Sequence, residues 1–232
     1  GRRFEGALAA KAREGVRVRL IIDSVGSFDL DPAYLTRLRN AGVQILEYHP
    51  IAPWRPRWAW GRRDHRKILV VDSRVGFTGS ININDDHAPL AEGGRDWHDA
   101  HVKVEGPAAL TLDRLFRAVW FRETQRWFSL EGPVAQTPGR SKVWVAANEE
   151  FLHRYRIRSA YINALQAARD HVCIANSYFL PDIPSRMALA SAARRGVDVR
   201  LLVQGRTALT SIWYASRAHY DYLLRHGVRL YE

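Results

Sequence analysis

Apolar residues recur at helical spacing through Ala7-Leu8-Ala9-Ala10-Lys11-Ala12-Arg13, stop at Gly15, and return as Val16, Val18 and the run Leu20-Ile21-Ile22. This order predicts an amphipathic helix closed by a glycine and followed by a buried strand. The same order returns in Ala188-Leu189-Ala190-Ser191-Ala192-Ala193-Arg194-Arg195-Gly196-Val197-Asp198-Val199-Arg200-Leu201-Leu202-Val203, which aligns with residues 7–22 without gaps at an offset of 181 and matches at 10 of 16 positions. The matches include Arg13/Arg194 and Arg19/Arg200 as well as the apolar frame, so the pattern reads as two copies of one unit. In each copy a second helix and strand follow, the strand at residues 41–47 or 226–232.

Other stretches complete the outline. The run Ile68-Leu69-Val70-Val71 predicts a buried strand that begins at His65, residues 99–104 a further strand, residues 108–128 a helix, and His171-Val172-Cys173-Ile174-Ala175 a strand with Cys173 inside it. Alternating helices and buried strands predict an α/β fold, a mixed sheet flanked by helices and internally duplicated. We expect a first unit at 1–130, a linker rich in Gly and Pro at 131–141, and a second unit at 142–232. With the repeat as a ruler, the second copy's equivalent of His65 falls at about 246 to 250, and the first copy's equivalent of strand 171–175 falls before residue 1. Hence the expectation is that the second unit is truncated before its motif, the first lacks its N-terminal strand, and the chain is part of a longer protein.

Chemistry concentrates in the strand after residue 64. His65, Lys67, Asp72, Gly79, Ser80 and Asn82 form the pattern H-x-K-x4-D-x6-G-S-x-N. It combines a nucleophile, a cation for non-bridging phosphate oxygens and neutral donors, as phosphodiester chemistry requires. In a strand His65 and Lys67 share a face, whereas Asp72, five residues after Lys67, falls on the other.

This pattern resembles the signature of the phospholipase D superfamily. With Trp97-His98-Asp99-Ala100-His101-Val102-Lys103-Val104-Glu105-Gly106-Pro107 and Tyr178-Phe179-Leu180-Pro181-Asp182, it resembles the bacterial cardiolipin synthase branch over nearly the whole chain. The resemblance implies the phospholipase D-like α/β fold and a phosphatidyltransferase that works through a phosphohistidine. It implies catalytic roles for His65, Lys67 and Asp72, with phosphate binding by Lys67, Ser80 and Asn82. Either His65 or a partner histidine in the rest of the protein is the nucleophile, and Asp72 reads equally as a structural turn residue. Asp99 is expected to orient a catalytic imidazole from behind, or to form a strand-edge salt bridge. Acceptor water gives hydrolysis and acceptor alcohol gives transfer; the alternatives are a phosphodiesterase or nuclease, and a basic membrane-binding module without turnover.

Composition narrows the partners. The formal charge of +11 in 232 residues points to an anionic partner. Anionic phospholipid is favoured over nucleic acid because Trp54, Arg55, Arg57, Trp58 and Trp60 cluster ahead of the motif, a combination suited to a lipid headgroup interface. Arg stacking on Trp within a folded loop, or stacking on bases, are the other readings of that segment. No stretch approaches about 18 consecutive apolar residues, so contact with the bacterial cell membrane is expected to be peripheral. One cysteine, Cys173, excludes an internal disulfide. No cofactor and no metal are expected: His98 and Asp99 point to opposite faces of one strand, and Asp85-Asp86-His87 reads as a polar loop.

Overall fold

The computed structural model describes residues 1–50, 63–97, 99–129, 139–148, 155–205 and 210–232. The chain divides into two compact units, Gly1–Val145 and Ala146–Glu232. The first contains α1 (Arg2–Arg13), β1 (Arg19–Asp23), α2 (Pro32–Asn40), β2 (Gln44–Tyr48), β3 (Ile68–Val71), β4 (Val75–Gly79), β5 (His101–Glu105) and α3 (Pro107–Thr124). The second contains α4 (Arg156–Ala167), β6 (His171–Asn176), α5 (Ile183–Arg194), β7 (Asp198–Val203), α6 (Thr210–Arg217), α7 (Tyr220–Arg225) and β8 (Arg229–Tyr231).

The fold is α/β, with strands in three hydrogen-bonded sheets. β1 and β2 pair in parallel, β3-β4-β5 form an antiparallel meander, and β6-β7-β8 are parallel. Parallel and antiparallel pairing thus occur in separate sheets among the described residues.

In the first unit, Ala9, Leu38, Ala41 and Val43 form a small buried core between α1, α2 and the β1-β2 pair. α2 starts where the Asp31 carboxylate accepts the Ala33 N–H at 2.9 Å and Pro32 fixes the first turn. In the second unit a larger core gathers Leu165, Phe179, Leu189, Val199, Leu201, Val203, Leu223 and Val228. Leu201 and Leu223 are fully enclosed, so Leu201→Ala is expected to cost about 2–5 kcal/mol, measured as a lowered denaturant midpoint at unchanged slope.

The repeated sequence folds into repeated structure. Arg19 pairs with Gln44 and Leu20 with Ile45 in the first unit, while Arg200 pairs with Arg229 and Leu201 with Leu230 in the second. The helix-closing glycines Gly15 and Gly196 take φ of 88° and 91°, and Gly42 and Gly227 take 97° and 86°. A side chain is strained at these four left-handed positions, which is why glycine recurs there.

Several expectations change. α3 stops at Thr124, not at 128, because Gln125 turns left-handed (φ 56°) and the chain folds back. Phe128 then meets Trp120 edge-on and Trp127 stacks on Phe121, so aromatic packing rather than helix continues the apolar pattern. Ile68–Val71 is not a fully buried strand. Only Ile68 and Val70 are partly covered, whereas Leu69 and Val71 are exposed, since β3, an edge strand among the described residues, is covered on one face. Cys173 is exposed too: it shares the open face of β6-β7-β8 with Arg200, while Val172 and Ile174 pack on the core.

Candidate active site

The site forms where three chain segments of the first unit converge: the carboxyl end of β1, the entry to β3, and the paired ends of β4 and β5. The strand begins at Ile68, so His65 and Lys67 lie in the extended segment ahead of it rather than in the strand itself. His65 is exposed, and among the described residues its ring has no hydrogen-bond partner. Lys67 is half-buried, and its Nζ donates to the His65 carbonyl at 2.8 Å, which ties the cation to the backbone of His65.

Asp23 anchors this entry segment. One carboxylate oxygen accepts the Val25 and Gly26 N–H groups at 3.0 Å each, and the other accepts the Asp64 N–H at 3.0 Å. Asp64 in turn accepts the Arg66 N–H at 3.1 Å. Burial pulls the Lys67 ammonium below the usual lysine range, and the negative charges of Asp64, Asp23 and Asp99 oppose that pull. Sequence reasoning did not single out Asp23 or Asp64. The available signal was Asp23's place at the carboxyl end of a parallel strand, where α/β sites assemble.

Gly79 closes the other side. It pairs with His101 across β4 and β5, and a Cβ there would lie 2.4 Å from the Ala100 carbonyl and 2.7 Å from the His101 Cα. Only glycine admits this approach, which brings Ser80 against Asp99. Ser80 Oγ donates to Asp99 Oδ1, and the Ser80 N–H donates to the Ala100 carbonyl at 3.2 Å. Gly79→Ala must displace backbone and is expected to destabilise the protein by about 1–3 kcal/mol, checked by chemical denaturation. Wild-type stability in that variant would contradict the close approach.

The hydrogen bond from Ser80 holds the Asp99 carboxyl below the usual range; burial opposes, and the Ala100 N–H, His87 and His101 reinforce it. Asp99 is therefore bonded to Ser80, with no salt bridge to it among the described residues, and the imidazoles whose charge it feels are those of His87 and His101. Sequence reasoning placed His87 in a polar loop and gave it no part in the site: its ring stands edge-on to Trp97 with centroids 5.8 Å apart, and its buried Nδ1 has no partner among the described residues. Nothing in the strand pattern marks it, because the loop of residues 80–97 folds back on itself through Asp96 N–H to Ala88 O and Trp97 N–H to Asp86 O.

Asn82 is exposed, two residues beyond Ser80. Asp72 stands apart from this cluster. It sits with Ser73 in the left-handed β3-β4 turn (φ 52° and 55°), at the opposite end of β3 from His65, where Arg74 N–H closes the turn on Val71 O at 3.0 Å. The structure gives Asp72 a place in a turn and brings His65, Lys67, Ser80 and Asp99 to the other end. Trp54, Arg55, Arg57, Trp58, Trp60 and His98 lie outside the described residues. Among the described residues no group of three or more His, Cys, Asp or Glu side chains is placed to hold a metal ion.

Because Asp99 helps hold the Lys67 proton, Asp99→Asn is expected to move the Lys67 midpoint further down. The sign follows from removing a negative charge: the ammonium loses support, releases its proton at lower pH, and any activity that needs it loses its alkaline limb earlier. Titration of a 13C-labelled Lys67 Cε signal reads this directly, and an unchanged or raised midpoint would contradict the coupling.

A parallel-and-antiparallel α/β scaffold with an H-x-K segment at a strand entry and a G-S-x-N turn beside it defines a phospholipase D-like domain. The sequence profile described as "Cardiolipin synthase, PLD-like domain" matches residues 1–120 and 161–232, and the chain belongs to that family. It is 35% identical over its whole length to a cardiolipin synthase of Geobacillus kaustophilus and 33% identical to cardiolipin synthase A of Pseudomonas syringae pv. syringae. It covers 47% and 48% of those proteins, and so spans about half the length of the curated relatives it matches. Among solved structures, a polyphosphate kinase from Porphyromonas gingivalis aligns with a TM-score of 0.54 at 18% identity, covering 88% of this chain and 31% of that one, a likeness of fold alone.

Proposed function

We propose that the protein containing this chain is a phosphatidyltransferase of the cardiolipin synthase type, and that residues 64–101 supply one half of its active site. The observation that carries this is the convergence of His65, Lys67 and the Ser80–Asp99 pair within a chain similar to cardiolipin synthases along its entire length. A ring nitrogen of His65 attacks phosphorus, a P–N bond forms, and the P–O bond to the departing alcohol breaks. That alcohol takes a proton from a second histidine in the remainder of the protein. The acceptor hydroxyl then attacks the same phosphorus, returns a proton to the second histidine, and frees His65. Lys67 offsets charge on the non-bridging oxygens, and Asn82, exposed beside them, donates to the phosphate. Ser80 reaches the phosphate only by turning its hydroxyl from Asp99; until then its role is to fix the β4-β5 end. Asp72 acts by shaping the turn that sets the β3 register.

The substrate is an anionic phospholipid such as phosphatidylglycerol, whose glycerol serves as acceptor, at the surface of the bacterial cell membrane. No helix among the described residues is long and apolar enough to cross a membrane. The contact assigned to this chain is a peripheral one, carried by surface aromatic and basic side chains. The Trp54 to Trp60 segment is assigned to that contact: Trp54, Trp58 and Trp60 replaced together by Ala are expected to weaken binding to phosphatidylglycerol vesicles even at high salt, where the arginines' contribution is screened. Sedimentation with such vesicles measures it, and undiminished binding would remove the segment from the interface. The reaction itself is tested with the whole protein and labelled phosphatidylglycerol. Glycerol release with formation of a diphosphatidylglycerol bearing four acyl chains supports transfer; glycerol release with phosphatidic acid as the lipid product would mean that water is the acceptor.

A further inference from the structure

β2 ends at Tyr48, and the residue after it leaves the ordinary backbone range. His49 takes a left-handed φ of 46°, a conformation that strains residues other than glycine and persists only where the surroundings dictate it. The residue is buried, and its Nε2–H donates at 3.0 Å to Oε1 of Glu123, itself largely enclosed in the last turn of α3. Stability alone does not call for such a pair. A buried imidazole and carboxylate both give up their water, and an apolar pair of similar volume would hold the same elements together as well. What the hydrogen bond adds is direction, because it fixes the ring of His49 and with it the attached backbone.

Neighbouring contacts hold the same corner. The His49 ring stacks on Tyr48 with centroids 4.2 Å apart, and Arg122 Nη2 donates to the Tyr48 hydroxyl at 3.2 Å. Ser24 donates to the Tyr48 carbonyl through its Oγ at 3.0 Å and through its N–H at 3.2 Å. Tyr48 and His49 are thus pinned between the last turn of α3 and the carboxyl end of β1. The His49 carbonyl, aimed by the left-handed turn, accepts from Arg63 Nη1 at 2.9 Å. The same nitrogen lies 3.9 Å from Oδ1 of Asp23, whose Oδ2 accepts the Asp64 N–H. The segment that carries His65 and Lys67 is therefore fastened at its start by one side chain, Arg63, and one backbone group, Asp64 N–H. The first of these fastenings depends on where the His49 carbonyl points.

We propose that Glu123 and His49 are positioning residues for the transfer reaction and act through Arg63. Their contact fixes the His49 carbonyl, that carbonyl and Asp23 fix the Arg63 guanidinium, and Arg63 sets where His65 and Lys67 stand relative to the phosphate. The inference rests on the function proposed above for His65 and Lys67. It requires no contact between Glu123 or His49 and the substrate, since a misplacement of about 1 Å at the reacting atoms costs on the order of 10²-fold in rate. It also accounts for the strained backbone of His49, which the glycine otherwise favoured at such a position would relieve at the expense of the ring that Glu123 holds.

Steady-state kinetics of glycerol release by the whole protein test this, with chemical denaturation confirming that each variant is folded. Glu123→Ala is expected to lower kcat about 10–100-fold while changing the KM for phosphatidylglycerol less than about threefold, because lipid still binds but phosphorus meets a displaced His65. Glu123→Gln, whose amide oxygen still accepts from the His49 Nε2–H, should bring kcat back to within about threefold of wild type. Arg63→Ala should lose at least as much as Glu123→Ala, and the double variant should stay within about threefold of Arg63→Ala, since the effect of Glu123 passes through Arg63. Losses that multiply in the double variant would overturn the proposal and leave Glu123 a residue of the fold alone, as would a wild-type kcat in Arg63→Ala. If Glu123→Ala does not fold, His49→Asn takes its place in the cycle, because asparagine tolerates the left-handed backbone and its shorter side chain gives up the contact with Glu123. His65→Ala in the same assay separates two failures. Release that survives it would sink the site assignment itself, whereas an inactive His65→Ala beside an undiminished Arg63→Ala would sink only the positioning role.

Discussion

Replacing His65 by Ala in the whole protein is expected to lower phosphatidyl transfer by roughly 10³-fold or more, and replacing Lys67 by Ala by about 10²–10³-fold. Folding should change little in His65→Ala, because the ring is exposed and makes no hydrogen bond among the described residues. Lys67→Ala also removes the bond from Nζ to the His65 carbonyl, on the order of 1 kcal/mol, so a modest drop in the denaturant midpoint should accompany its larger loss of rate. The two substitutions remove parts of one device, and the double variant should therefore be barely slower than His65→Ala alone. Near-normal transfer in His65→Ala or Lys67→Ala would sink the assignment of the half-site.

Chain 1–232, produced by itself, is expected to transfer phosphatidyl groups at least about 10²–10⁴-fold more slowly than the whole protein, the range lost when a general acid is removed. It contains a single H-x-K-x4-D pattern, so the second motif that the proposed mechanism requires is supplied only if two copies associate. Rate measured against protein concentration separates the cases. An active monomer would contradict the two-histidine mechanism, whereas activity that rises with the square of concentration would mean that two chains share their half-sites.

The proposed half-site was legible as a cluster because its residues are close in sequence: His65 to Asn82 spans one hairpin, and spacing along a hairpin fixes which residue types meet. Asp23 and His87 were not legible. Asp23 reaches the site only because β1 ends beside residue 64, and His87 only because Gly94 lets its loop close on the Ala88 carbonyl. Asp99 was legible as a residue but not in its contact, since the Ser80 hydroxyl that holds it comes from the neighbouring strand.

By itself the sequence determined much of the order of helices and strands, though not β4 or α4, together with the duplication and its offsets and the motif from which the proposed phosphate-handling residues are read. All of these are properties of local periodicity and spacing, which the chain carries before any packing occurs. Only the tertiary structure decided which faces are covered. A run such as Ile68 to Val71 is equally apolar whether one side or both meet the core, and its edge position, like the exposed Cys173, depends on which strands lie alongside. The end of α3 was decided the same way: Trp127 and Phe128 continue the apolar pattern, but Phe128 gains contact with Trp120 and the stacked guanidiniums of Arg19 and Arg117 only by leaving the helix at Gln125. Such choices weigh burial against helical hydrogen bonds among residues a hundred positions apart, and no local pattern records them.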